Sequence, residues 1–239
     1  MVVAEPTPES VVQAAAAVHA QSDSSATLAE IVCQARRCLP EFQHVSVSRI
    51  HPDGTLETLV AGTDLARSFD EVQSSARQGP CIAPDDDLVV VRDARNEQRW
   101  PAYMSQATKL GLLSQIGVRL RSDAHGVICL NLHSTTHTDI DAGSVGVAEH
   151  FGVHAGLALH HVLKEEQLST AIGTRTVIGT AVGIMMERYG MTQAAAFSFL
   201  LRQSSTENLK VRLIASEVVG AVEDAALDGG GRRIEAVET

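Results

Sequence analysis

Between Leu168 and Val219 apolar residues recur at helical spacing in three runs separated by two breaks. The first run reaches Tyr189 and meets Gly190, a residue type that closes helices because positive φ costs it little. Thr192 can cap a second helix carrying Phe199, Leu200 and Leu201. Thr206 can cap a third, with Val211, Ile214, Ala215 and Val218 on one face. Each helix is too short to persist alone, so the three are expected to share one small core. Upstream, from Asp141 to Tyr189, neither a proline nor a linker-like patch interrupts the chain, which predicts one long helix entering this region. Along it Leu157, His161, Leu168, Ala171, Ile178, Val182 and Met185, with Lys164 and Arg175 between them, step by threes and fours. That spacing is a heptad seam; a single amphipathic helix lying on its own domain would also show it, and the presence of two apolar stripes favours a parallel helical dimer. A second stripe, Phe151, Ala155, Ala158 and Val162, faces elsewhere and is expected to pack on its own domain.

Nearer the N-terminus the period changes. Val11 to Ala20 can form a helix with weakly signalled ends, and Ala26 to Leu39 an amphipathic one stopped by Pro40. Val45, Val47 and Ile50 then lead into the turn Pro52-Asp53-Gly54, and Leu56 to Ala61 returns as a strand, the pattern of a β-hairpin. Leu88 to Val91 is a short apolar run, and Trp100 to Leu110 reads as a helix closed by Gly111. Leu113 to Leu120 alternates through Ile116, Val118 and Leu120, and Asp123-Ala124-His125-Gly126 turns the chain back into Val127 to Leu132. Hairpin-linked strands with helices at both ends predict an α+β fold: an antiparallel sheet flanked by helices, a long connecting helix and a C-terminal three-helix bundle. The expected division is an N-terminal extension over residues 1–21, a first domain over 22–163, a helical module over 164–222 and a flexible acidic tail over 223–239.

Composition narrows the function. The chain of 239 residues carries a net charge of −10, with 44% hydrophobic but only 3% aromatic residues, so the core is expected to be aliphatic. A pI near 5.4 speaks against a general nucleic-acid binder. Residues 167–216 break the trend: Arg175, Arg188, Arg202, Lys210 and Arg212 stand against Glu187 and Glu207, a net of +3. A basic island on an acidic chain suits a polyanion reached only there, although five cations on three helices also serve as solvated faces. No apolar run approaches the roughly 20 residues that span a bilayer, and the start of the chain lacks the pattern of a signal peptide, so a cytoplasmic protein is the default expectation. Cys33, Cys38, Cys81 and Cys129 form no C-x-x-C pair; reduced thiols are expected and no metal site. The run Asp85-Asp86-Asp87 has no further ligands at the usual spacings and reads as a solvated loop. No nucleophile elbow, phosphate-binding loop or other catalytic set is found, so no catalytic residues and no cofactors are assigned.

The residues Ala171, Arg175, Ile178-Gly179, Ala181, Gly183-Ile184, Met186-Glu187-Arg188-Tyr189-Gly190, Ala196-Phe197, Leu200-Leu201-Arg202, Ser204, Asn208, Lys210, Arg212, Ala215 and Val218-Val219 resemble, without a gap, the ANTAR family of RNA-binding antiterminator modules. One departure is Val182, where the family often has Lys or Gln. A second resemblance covers about Ser22 to Leu163. It rests on Val45-Ser46-Val47-Ser48, Phe69-Asp70-Glu71-Val72-Gln73, Gln78-Gly79-Pro80-Cys81, Trp100-Pro101, Gly111, Ser114 and Gly126, and it is to the GAF domain found ahead of ANTAR modules in actinobacterial regulators. GAF domains are sensors that bind small molecules or serve as dimerisation platforms. The family usually has a Phe before the last helix; here His137-Thr138-Asp139-Ile140 supplies none.

Together the resemblances imply a signal-responsive transcription antiterminator whose C-terminal module binds hairpins in nascent RNA as a homodimer, with a small-molecule or redox sensor in front. RNA of this kind is read through unpaired bases, with cations on phosphates. Tyr189 can stack on a base, Arg188, Arg202, Lys210 and Arg212 can hold phosphates, and Ser204 and Asn208 can reach base edges. Against these stand plainer roles: Tyr189 capping the core, Ser204 capping the loop. Candidate sensor residues are Cys81, as a redox or ligand-contacting thiol or else a buried structural one, and His154 and His161 on the seam, as titrating groups. Two alternatives stay open: a DNA-binding regulator, and a GAF-type methionine sulfoxide reductase, which needs a second thiol near Cys81.

Overall fold

The computed structural model describes residues 8–82 and 86–229. Asp85 of the acidic run, the first seven residues and everything beyond 229 lie outside them. The chain divides into two compact units after Lys164.

In the first unit, α1 (Pro8–His19) and α2 (Ser24–Cys38) precede a five-stranded sheet. Its strands are β1 (His44–Ile50), β2 (Leu56–Ala61), β3 (Leu88–Val91), β4 (Ser114–Asp123) and β5 (Gly126–Ser134). They run antiparallel in the order β2-β1-β5-β4-β3. Helices α3 (Asp64–Ala76) and α4 (Pro101–Ala107) lie between strands in the chain, and α5 (Ala142–Tyr189) follows β5. Both expected hairpins form. In the second, Asp123 pairs with Gly126, so Ala124 and His125 alone make the turn. Gly126 is required there: its φ is +122°, and a Cβ on it would lie 2.0 Å from the carbonyl oxygen of Ile50.

The two faces of the sheet differ in chemistry because side chains alternate along each strand. Val45, Val47, Ile116, Val118, Ile128, Leu130 and Leu132 join one aliphatic core with α1, α2 and the first turns of α5. Residues 8–19, expected in an extension, instead bury Val11, Ala14 and Val18 in that core. The Cys38 thiol also donates to the Ser10 carbonyl across the α1–α2 contact. Two glycines bring α5 onto β4: a Cβ on Gly152 would meet Val118 Cγ1 at 2.4 Å, and one on Gly156 the Leu120 carbonyl oxygen at 2.3 Å. Ile140, just before α5, is 2% exposed and fills this core in the segment where a Phe was expected. Asp141 then caps α5 by accepting from the backbone N–H of Ser144 at 2.8 Å.

Helix α3 is an element that the hydrophobic pattern did not forecast. Thr63 caps it, accepting from the N–H of Ala66 at 3.1 Å, and Arg77 closes it in the left-handed region. Its buried face carries Asp70 and Gln73 beside Ala66 and Phe69, and an apolar count passes over such a face. Helix α4 is shorter than the expected Trp100–Leu110: it ends at Ala107, and turns carry the chain to Gly111.

The second unit consists of the C-terminal half of α5 with α6 (Gln193–Glu207) and α7 (Val211–Gly229). Gly190, at φ +62°, ends α5, and Thr192 caps α6 by accepting from the N–H of Ala195. Thr206 does not cap α7. It lies inside α6 and donates to the Arg202 carbonyl, while Asn208, at φ 54°, closes α6. Residues 223–229, expected in a flexible tail, continue α7. The core is small: Ala181, Val182, Met185, Ala196, Leu200, Ile214 and Ala215.

Among the described residues α5 alone is long and apolar enough to cross a membrane, its most apolar 18-residue window having a mean hydropathy of 1.2. Apolar residues at its two ends serve separate cores, Phe151, Ala155 and Leu159 in the first unit and Ala181, Val182 and Met185 in the second.

Candidate functional site

In the second unit the basic residues stand on the outside of the three-helix core. Arg188, Arg202, Lys210 and Arg212 are exposed, and so is Tyr189, by 65%, at the end of α5. Arg175, earlier on α5, is exposed as well. A groove of about 520 Å³ brings Arg188 and Tyr189 together with Phe199 and Gln203 of α6. The Arg202 guanidinium lies 6.0 Å from the centre of the Phe199 ring, an arrangement that holds a cation without neutralising it. Tyr189 is therefore not the only aromatic beside the cations. Phe199, three residues before Arg202 on one helix, was within reach of a sequence reading. Glu207 and Glu217 also line the groove, so the local charge is mixed.

Two of the expected base-contacting residues do structural work. The Ser204 hydroxyl donates to the Leu209 carbonyl, and its own carbonyl accepts from the N–H of Asn208 and of Leu209. Asn208 holds the left-handed turn between α6 and α7, a conformation Asn tolerates better than most residues. Ser204 thus shapes the turn that sets Lys210 and Arg212 at the start of α7.

The expected dimer seam needs correction in its lower half. Val182 and Met185 are 7% and 4% exposed inside the three-helix core, and Ile178 packs against it. While the core is formed they offer a second helix little surface, Ile178 more than the other two because it is only half-buried. Leu157 and Leu168 are open, at 58% and 56%, and His161 and Ala171 are exposed. The open apolar line continues through Ile172, 65% exposed, and Met186, 40% exposed. Exposed Gly179 and Gly183 lie between them, and beside Met186 stands Phe197 of α6. His154 meets His19 of α1 edge-on, with ring centres 6.5 Å apart.

In the first unit the second face of the sheet is polar and sealed. Cross-strand neighbours form rows: His44, His133 and Gln115, then Ser46, Asn131 and Gly117, then Ser48, Cys129 and Arg119. Ser46, Ser48, Gln115, Asn131 and His133 are fully buried, as are Asp70 and Gln73 of α3 and Tyr103 of α4. Asp70 is the hub. Its carboxylate accepts from Ser46 at 3.0 Å, Thr58 at 2.9 Å and Asn131 at 3.2 Å. Burial outweighs these bonds and lifts its pKa to about 7. His133 donates from Nδ1 to the His44 carbonyl at 3.2 Å and stacks on Phe69 at 4.8 Å. Burial pushes its pKa down to about 3, so it is neutral. Cys81 is buried against Asn131, its Sγ donating to Oδ1. Its thiol is pushed well above the usual range by its side-chain hydrogen bond with the Cys129 thiol and by burial. All four cysteines are free, and only Cys33 is exposed.

Residues 166–219 match the ANTAR domain. No curated protein matches the chain. Among solved structures, the chromophore-binding domain of an unusual bacteriophytochrome from R. palustris is similar with a TM-score of 0.53 at 10% identity, over 66% of this chain and 62% of that one. The photosensory core module of the Stigmatella aurantiaca phytochrome is similar with a TM-score of 0.57 at 11% identity, over 82% of this chain and 44% of that one. This chain thus spans less than two thirds of either structure. At such identity the likeness shows the fold, that of GAF-type chromophore-binding domains, and with the ANTAR match it is consistent with a GAF–ANTAR architecture.

Proposed function

We propose that this chain, a GAF-fold unit followed by an ANTAR domain, is a cytoplasmic transcription antitermination regulator that binds hairpins in nascent RNA and answers a small-molecule signal. The observation that carries the reading is the ANTAR match at residues 166–219, where Arg175, Arg188, Arg202, Lys210 and Arg212 stand exposed. Around Phe199 the interface gathers Arg188 and Arg202 with the exposed ring of Tyr189, the mixture of phosphate holders and stacking surface that single-stranded RNA loops require. Lys210 and Arg212 extend the cationic surface, with Ser204 and Asn208 supporting their turn.

A regulator fits the first unit better than a methionine sulfoxide reductase does. Cys129 is the second thiol beside Cys81 that a reductase needs, but both are buried, and a thiol held above its usual pKa is the reverse of an activated nucleophile.

RNA recognition is tested by sequencing the RNA that co-purifies with the protein and by salt titration of a recovered hairpin. Arg202→Ala and Lys210→Ala are each expected to weaken hairpin binding and to reduce the log–log salt slope by roughly 0.7 to 0.9. Unchanged affinity and slope in both variants would leave the basic island as solvated surface. Tighter binding to duplex DNA of the same sequence would favour the DNA-binding alternative.

The active form in this reading is a parallel homodimer along the open line of α5 through Leu168, Ile172 and Met186. Ile172→Asp is expected to convert dimer to monomer in sedimentation while helical content stays at the wild-type level, because Ile172 is outside the three-helix core. Ile178→Asp would damage that core as well and could not separate the two effects. A wild-type monomer at micromolar concentration, with and without RNA, rules the dimer out.

A further inference from the structure

The open residues of α5 fall into a repeat of eleven. His150, His161, Ile172 and Gly183 stand 11 residues apart, and so do Leu157, Leu168 and Gly179. Along the helix the two sets alternate in steps of seven and four, and every member is exposed. Eleven residues at 3.6 per turn come back to within about 20° of the starting direction, so the line stays on one side of the helix. The heptad spacing drifts the other way, by about 20° every seven residues. That drift carries it from open Leu168 into the three-helix core at Val182 and Met185.

Two observations say what covers this line. Between Leu163 and Val177 no residue of α5 belongs to either apolar core, although Leu168 and Ile172 in that stretch are 56% and 65% exposed. A helical stretch of about a dozen residues gains little from its backbone alone, so it needs an apolar partner. The flanks of the line differ in sign. On one side stand Lys164 and Arg175, on the other Glu165 and Glu187, all exposed. In a parallel pair of identical helices each flank faces the opposite flank of the second copy, cations against acids. An antiparallel pair would set the cationic flank against itself.

The two glycines fit the same partner. A Cβ added to Gly179 or Gly183 would meet nothing within 4 Å, so the missing side chain serves no packing inside one copy. On a seam it lets two backbones approach closely.

Resting on the reading of the active form as a parallel homodimer, we propose that the two α5 helices pack in register along this eleven-residue line. The repeat is longer than the natural turn, so the pair is nearly straight or slightly right-handed, where a heptad seam would wind to the left. A two-fold axis along the helices sets each residue of the line beside its own counterpart.

The test is disulfide cross-linking of single cysteines in the full chain. A Cys33→Ser background removes the exposed native thiol and leaves the three buried ones. His161→Cys, Leu168→Cys and Ile172→Cys place a thiol on the line, and Ala171→Cys places one on the heptad spacing. Under copper-catalysed air oxidation all three line positions are expected to link two copies at least about tenfold faster than Ala171→Cys, because a disulfide needs its Cα atoms within about 7 Å. Ala171→Cys linking as fast as Ile172→Cys overturns the eleven-residue seam, while a wild-type dimer in sedimentation still stands. Linking at one line position and not at the other two marks an antiparallel pair, in which only residues near the axis meet their counterparts, and overturns it as well. No link on the line in a chain that sediments as a dimer places the interface elsewhere and has the same consequence. A wild-type monomer overturns the seam and the homodimer together.

Discussion

Asp70→Asn is expected to stabilise the first unit at pH 8 and to remove a loss of stability that the wild type shows between about pH 4 and 7. In the folded protein Asp70 keeps its proton up to about pH 7, whereas in the unfolded chain it ionises near the ordinary carboxyl value of 3.8. Between those values the native state binds the extra proton, so raising the pH favours unfolding. The loss begins near the unfolded pKa and is complete above the folded one. The shift corresponds to something on the order of 4 kcal/mol at pH 8. Asparagine keeps the shape and has no charge to bury. Its oxygen can accept from Ser46 and Asn131, and its NH₂ can donate to the Thr58 hydroxyl, which accepts as readily as it donates. The measurement is urea unfolding of both proteins from pH 4.5 to 8, read as the difference between them. The difference isolates Asp70 from carboxylates such as Asp141, whose pKa its bonds to Ser144 lower and whose contribution runs the other way. A difference that does not change with pH would mean that Asp70 ionises alike in both states.

Leu200→Ala is expected to abolish RNA binding by unfolding the second unit, whereas Leu201→Ala leaves it folded. Leu200 is fully buried in a core of seven buried residues, and Leu201 is 43% exposed. Truncating a buried leucine costs about 2–5 kcal/mol, and a domain of this size has only a few kcal/mol in total. Surface truncation typically costs within about 0.5 kcal/mol. Circular dichroism and hairpin affinity, measured on both variants, check the pair. Equal effects from the two would mean that α6 turns Leu201 into the core as deeply as Leu200.

Much of the secondary structure was legible along the chain because its causes are local. Gly190 and Thr192 separate α5 from α6 through backbone preferences that belong to those residue types. The Asp123–Gly126 turn and the alternation through Ile116, Val118 and Leu120 identify a hairpin before any packing is known. The basic residues of the second unit were also legible as a charge island, and they are found exposed. Helix α3 was not, because its inward face includes Asp70 and Gln73, and a hydrophobic pattern reads inward polar residues as outward ones.

What the sequence determined by itself was therefore element type, the long uninterrupted helix and the sign of charge on each region, since propensity, capping and charge are properties of short stretches. Which of two adjacent stripes on α5 stays open was decided only by tertiary structure. Val182 and Ile172 are equally apolar in sequence, and burial in one core with Leu200 and Ile214 is what removes Val182 from the surface. The same holds for Ser204 and Asn208, whose polar groups serve the α6–α7 turn, and for the sheet's second face. Polar residues from β1, β4, β5, α3 and α4 lie far apart in the chain, and only strand register and the α3 cover bring them into one hydrogen-bonded interior.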